Sequence, residues 1–243
     1  MLRCAFPLVT AAYVKSTPRS SGLARLACGL VARSSDKTGR AVEKRPSAAR
    51  RGPMTKDVPQ GNPPWFRRVK TALRRGGATE VRPIPVESIV VDERVRLKCQ
   101  VPLCDSYGRN FTCPPFLPPV SEFREMLSRF DGAVLVQVSA EGPFNPPEKV
   151  FVHSKKLHGL MNRAEGIAFA EGFRFAAALI GGCCRLCDEC AAVRPGEPCR
   201  HPFRARPSME AMGIDVLATL EKAGLPGRFP VRDRVDWTGL LLI

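Results

Sequence analysis

The stretch VFVHSKKLHGLMNRAEGIAFAEGFRFAAALI, residues 150–180, decides the fold. Val150, Leu157, Leu160, Met161, Ala164 and Ile167 recur at three-and-four spacing and so lay an apolar stripe along one face of a helix. The Pro146-Pro147 pair precedes that helix, and Gly172 supplies its stop. Residues 175–180 follow as a short apolar run before Gly181-Gly182, the pattern of a buried strand. A long amphipathic helix that feeds a buried strand is an α/β unit.

Working upstream, residues 133–139 read as a second buried strand, and Ser121 as the N-cap of a helix reaching Phe130. Residues 86–91 and 95–100 are rich in β-branched side chains and read as strands, followed by a loop with Cys104, Tyr107 and Gly108. Residues 69–75 suit a short helix ended by Gly76 and Gly77. Downstream, residues 208–223 are helical in pattern, and 237–243 form a last strand. The expected architecture is an α/β sandwich: a mixed sheet with flanking helices and a Cys-rich metal-binding loop, one domain over residues 65–243. A disordered or non-native N-terminal extension, residues 1–64, precedes it.

That extension stands apart in composition. The net charge is +15, of which residues 1–53 contribute +9, so the basic excess is not a property of the folded part. Rich in Arg, Ser, Ala and Pro, with no acid before Asp36, the segment resembles an organellar transit peptide. The alternative is a mistaken start: Arg outnumbers Lys 28 to 10, as GC-rich coding tends to give, and Met54 opens a more ordinary sequence. With 44% apolar residues the chain has material for a core, and no apolar run is long enough for a spanning helix. The expectation is a soluble, cytoplasmic protein with no membrane partner.

Ten cysteines are many for such a chain, and eight of them lie beyond residue 98. A disulfide framework suits small secreted domains that lack a core, which this chain does not resemble, so reduced metal-binding thiols are the better reading. Cys184, Cys187 and Cys190 are spaced by two residues, and Cys199 follows after eight more. Three thiolates at that spacing wrap one face of a cubane cluster and a fourth closes the opposite corner, which favours a [4Fe–4S] cluster. Zinc is the alternative metal, although its structural sites more often use two separated C-x-x-C pairs. Arg185, Arg200, Arg204 and Arg206 are candidates to offset the cluster's charge. His201 could hydrogen-bond to a cluster sulfur or simply lie at the surface, whereas His158, beside a core Leu, is expected to face solvent.

Cys99, Cys104 and Cys113 form a second candidate metal group around the turn-forming Tyr107-Gly-Arg-Asn110. A fourth position could be filled by Cys183, a carboxylate, a His, water or a small ligand, while a simple buried Cys is an equal reading of Cys183. Cys4 and Cys28 belong to the extension and carry no weight.

The ordered motifs Cys99-x4-Cys104-x8-Cys113-Pro-Pro, Cys184-x2-Cys187-x2-Cys190-x8-Cys199-Arg-His-Pro and Arg206-Pro-Ser-Met-Glu-Ala resemble a prokaryotic family of predicted metal-binding proteins, domain of unknown function 2284. The resemblance covers residues 65–243, implies metal binding and names no substrate. Cys183 beside Cys184 departs from the family's usual pattern.

Two functions follow from these sites. One is electron transfer or a redox accessory role with a redox partner protein. An enzyme of this kind would need an open iron at the Cys99 group, and no general acid–base pair stands out. The other is a zinc-stabilised binding module for nucleic acid or an acidic protein. Nucleic acid is the weaker partner, because the basic excess sits in the extension and no basic motif interleaved with aromatics is present.

Overall fold

A computed structural model describes residues 62–142, 148–229 and 233–243. The expected disorder of the N-terminal extension falls on residues outside those described.

Four strands make one sheet in the order β1-β2-β4-β3: β1 Glu80–Ile84, β2 Ala133–Glu141, β3 Ala177–Leu179 and β4 Arg234–Leu242. The two long strands pair from Ala133↔Leu242 to Glu141↔Arg234. All ladders between these strands are antiparallel, and the parallel element is an isolated bridge, Ile180↔Ser208. The α/β sandwich with flanking helices is therefore present, with an antiparallel sheet in place of the expected mixed one.

Both faces of the sheet are covered, as the strand sequences require. Val134, Val136 and Val138 of β2 and Val235, Trp237 and Leu241 of β4 share one core with Trp65 and Phe66 of helix α1 (Pro64–Arg75) and Leu157, Met161 and Ala164 of helix α4 (Glu148–Ala170). Leu135, Leu240 and Leu242 point the other way, into a second core with Phe123 of helix α3 (Val120–Leu127), Met209, Ile214 and Leu220 of helix α5 (Val216–Lys222). Alternation along a strand sends odd and even residues to opposite faces, so a near-continuous apolar strand is one buried on both sides. Gly239 allows close packing: a Cβ there would lie 2.9 Å from the Met161 sulfur.

Three sequence expectations are corrected. Residues 86–91 and 95–100 are not strands; only Val91 bridges, to Ile214. The carboxylate of Asp92 accepts from the Arg94 backbone N–H at 2.8 Å and caps a short helix, α2 (Glu93–Leu97), so a local cap overrides the β preference of Val95. The strand that does form is β1, whose Pro83 masks it in sequence yet is tolerated because β1 is a sheet edge. Ser121 is not a cap: α3 begins at Val120 after Pro119, with no side-chain cap. The helical pattern of 208–223 is broken in two at Gly213, which takes φ +83° before Asp215 caps α5 by accepting from the Ala218 N–H at 3.0 Å.

His158 is also corrected. It is 2% exposed, not solvent-facing, and its Nε2 donates to the carbonyl of Arg204 at 2.8 Å. Burial pushes its pKa below the ordinary histidine value, so it stays neutral.

Candidate metal centre

The helix–strand unit that fixes the fold also carries the thiols. After β3 the chain reaches Gly181, where a Cβ would lie 2.7 Å from the Thr238 carbonyl oxygen, and Gly182, at φ +70° against the Trp237 ring. Only glycine can make this turn without displacing β4. The segment that leaves the turn returns at residue 207: Ile180 N–H donates to the Pro207 carbonyl at 2.9 Å, and Met209 N–H to the Ile180 carbonyl at 2.8 Å. Residues 181–206 thus form a loop stapled shut at its base.

Helix α4 holds the returning leg. His158 and Asn162, one turn apart, both donate to the Arg204 carbonyl, the latter at 3.0 Å. One more turn on, Glu165 grips the Arg206 guanidinium at 2.9 and 2.5 Å and also accepts from the Ala178 N–H of β3 at 2.7 Å. Bidentate Arg–carboxylate pairs fix orientation as well as distance.

The 99–113 loop is folded by its own turns. Cys104 N–H donates to the Cys99 carbonyl at 3.1 Å, Tyr107 N–H to the Cys104 carbonyl at 2.9 Å, and Gly108 N–H to the Pro114 carbonyl at 2.8 Å. Buried Asn110 joins the two loops. Its Oδ1 accepts from the Thr112 backbone and hydroxyl at 3.1 and 3.0 Å, while its Nδ2 donates to the Cys184 carbonyl at 2.9 Å.

All eight cysteines of the described residues are free thiols, and they line two adjoining cavities. The larger, about 520 Å³, is lined by Cys184, Cys187, Cys190 and Cys199 together with Cys183, Arg185 and Arg200. The smaller, about 50 Å³, is lined by Cys99, Cys104, Cys113 and again Cys183, with Tyr107, Ser208 and Glu210. Each sequence-predicted set therefore lines one cavity, and Cys183 lines both. Among the described residues no three His, Cys, Asp or Glu side chains are gathered as they would be around one bound ion. The sulfurs surround cavities instead.

Electrostatics hold the thiols at both places in their neutral form. Burial first, and then the neighbouring Cys190, Cys199 and Cys183, push the Cys184 thiol up to about 11 despite an opposing backbone hydrogen bond from Leu186. Burial and the crowding of Cys183, Cys104, Cys99 and Cys184 raise Cys113 further, and Cys99 is raised by burial and then Cys104. Buried thiols this close resist ionising together, and a bound cation removes that penalty by displacing their protons. Soft thiolate sets of this kind fit an iron–sulfur cluster or zinc.

The basic residues divide. Arg185 stacks its guanidinium 3.7 Å from the Phe151 ring centroid at the larger cavity, and Arg200 donates to the Glu189 carbonyl at 3.0 Å there. Arg206 is held by Glu165 and serves the scaffold rather than the cavity. His201 reaches Cys199 through its backbone N–H, 3.4 Å from Sγ, rather than through its ring.

Two residues of consequence escaped sequence reasoning. Asn110 sat in view between Cys104 and Cys113, in a turn of the kind that suits Asn. Glu210 sat in the Arg206-Pro-Ser-Met-Glu-Ala motif, and no spacing rule ties that motif to Cys99.

The family described as "Predicted metal-binding protein (DUF2284)" matches residues 82–243. No curated protein and no solved structure matches the chain. No helix among the described residues is long and apolar enough to cross a membrane.

Proposed function

The chain belongs to the DUF2284 family of predicted metal-binding proteins, and from that premise we propose that Cys184, Cys187, Cys190 and Cys199 hold a [4Fe–4S] cluster serving electron transfer or a redox accessory role. The observation that carries this reading is that the four thiols of one C-x2-C-x2-C-x8-C motif line a single cavity of about 520 Å³. A lone zinc ion needs four sulfurs about 2.3 Å from one point. A cavity of this size with four thiols of one motif in its lining suits a polynuclear cluster better.

When bound, such a cluster supplies one-electron transfer. This chain's own residues set its surroundings. Arg185 and Arg200 stand at the cavity to offset the negative charge of four thiolates, and the His201 N–H gives Cys199 a hydrogen bond; both effects favour the reduced state. Cys99, Cys104 and Cys113 form a second metal-binding group in this reading, a redox protein is the partner, and a reducing cytoplasm is the compartment that keeps the thiols free.

Anaerobic purification with iron and sulfide analysis tests the proposal. The expected product is brown, absorbing near roughly 400 nm. Replacing Cys187→Ser should remove most of the iron and sulfide of this site, and unchanged metal in that variant would defeat the reading. A colourless protein carrying zinc would establish the binding-module alternative instead.

A further inference from the structure

We infer that the smaller cavity is a second thiolate-held metal site in which Cys183 is the fourth sulfur and Glu210 positions it, so that the consecutive residues Cys183 and Cys184 give one thiolate to each of two adjoining centres. This rests on the reading that the Cys99 group binds metal.

Three of the four sulfurs come from the 99–113 loop and the fourth from the far side of the chain. Cys113 and Cys183 are 6% and 9% exposed, and both line the cavity with Cys99 and Cys104. Buried cysteines often serve only as small apolar side chains. Apolar packing does not account for Glu210, which lines the same cavity. Its Oε2 accepts from the Gly182 backbone N–H at 3.3 Å, immediately before Cys183. From the opposite side, Asn110 Nδ2 donates to the Cys184 carbonyl at 2.9 Å.

The Cys183-Cys184 dipeptide is therefore clamped at both ends, by Glu210 before it and Asn110 after it. Cys184 lines only the larger cavity, whereas Cys183 forms the wall between them. Four soft donors from two loops make a thiophilic site, for a single zinc or iron ion or for a cluster. The shared peptide would join the two centres covalently.

The test is metal and sulfide analysis of the full-length, anaerobically purified protein and its variants. Cys183→Ala should lose the same share of metal as Cys104→Ser, and the double variant should lose no more than either alone. That share should be the complement of what Cys187→Ser removes. Sulfide lost with the metal identifies a cluster, and metal lost alone identifies an ion. If Cys183→Ala loses instead the share belonging to Cys187→Ser, Cys183 is a ligand of the first centre and the inference fails. Full metal content in Cys183→Ala, or a single metal share lost entirely in both Cys104→Ser and Cys187→Ser, also overturns it. Should Cys183→Ala fail to fold, Glu210→Ala takes its place: loss of the second share, restored in Glu210→Gln, supports the inference, and an unchanged content overturns it. Failure of Cys187→Ser to lose metal, with Cys104→Ser and Cys183→Ala behaving as stated, would defeat the first-centre proposal and leave this one standing.

Discussion

The centre of the sheet and the thiol loops are built on opposite principles. Strands β2 and β4 pair over nine residues each, and Val134, Leu135, Val136, Leu240 and Leu241 there are fully enclosed. The loops at 99–113 and 181–206 contain no strand, and their one regular element within 181–206 is the 3-10 turn Ala191–Val193. They are held by identifiable polar staples: Asn110 to Cys184, the two hydrogen bonds at Ile180, and the row His158, Asn162 and Glu165 on α4. Apolar burial stabilises the first region whatever occupies the cavities. The second depends on a few hydrogen bonds and, in our reading, on metal. Damage to one region should therefore leave the other's signature intact.

The largest effect is expected in the sheet. Leu240 lies between Leu135 and Leu179 in the ladder and is fully buried. Leu240→Ala should cost about 2–5 kcal/mol of global stability, because the vacated space cannot collapse between two packed strands. Urea unfolding with and without metal measures it. An equal loss in both states supports the separation of the two regions, and a loss that depends on metal breaks it.

A smaller effect, of the opposite kind, is expected at Asn110. Asn110→Ala leaves the part-buried Cys184 carbonyl and the Thr112 donors without their partner, at a cost of about 1–3 kcal/mol. That cost should fall on the loops. Hydrogen exchange should quicken at residues 99–113 and 181–190 and stay slow in β2 and β4. Faster exchange throughout the sheet would show that the loops are part of its cooperative unit.

The same contrast explains what could be read in advance. Helix α4 was legible because Leu157, Met161 and Ala164 repeat at the helical period, and β2 and the end of β4 because residues 133–138 and 240–243 are largely apolar. Residues 86–100 were misread because β-branched content is a weak signal beside one capping carboxylate at Asp92. Cysteine spacing announced two groups, yet nothing local in the sequence could place Cys183 next to Cys113. That meeting depends on a glycine turn against Trp237 and on Asn110 reaching Cys184. His158 was misjudged for a related reason: its partner is a backbone carbonyl 46 residues away, which no periodicity reveals.

The smallest effect is expected from removing residues 1–53. The family match begins at residue 82, and the described structure begins at residue 62, just before α1. Trp65 and Phe66 belong to the core shared with α4, so the cut must stay ahead of them. The segment carries +9 of the charge in a composition rich in Arg, Ser, Ala and Pro. A chain starting at Met54 should keep the urea midpoint and metal content of the full chain. Any nucleic-acid retention by the full chain should vanish with the segment, or at moderate salt, since phosphate contacts by Arg and Lys are the contacts salt removes. Reduced metal content after the cut would mean that the thiol loops depend on sequence outside both regions. Salt-resistant nucleic-acid binding by the shortened chain would shift the function toward the binding module.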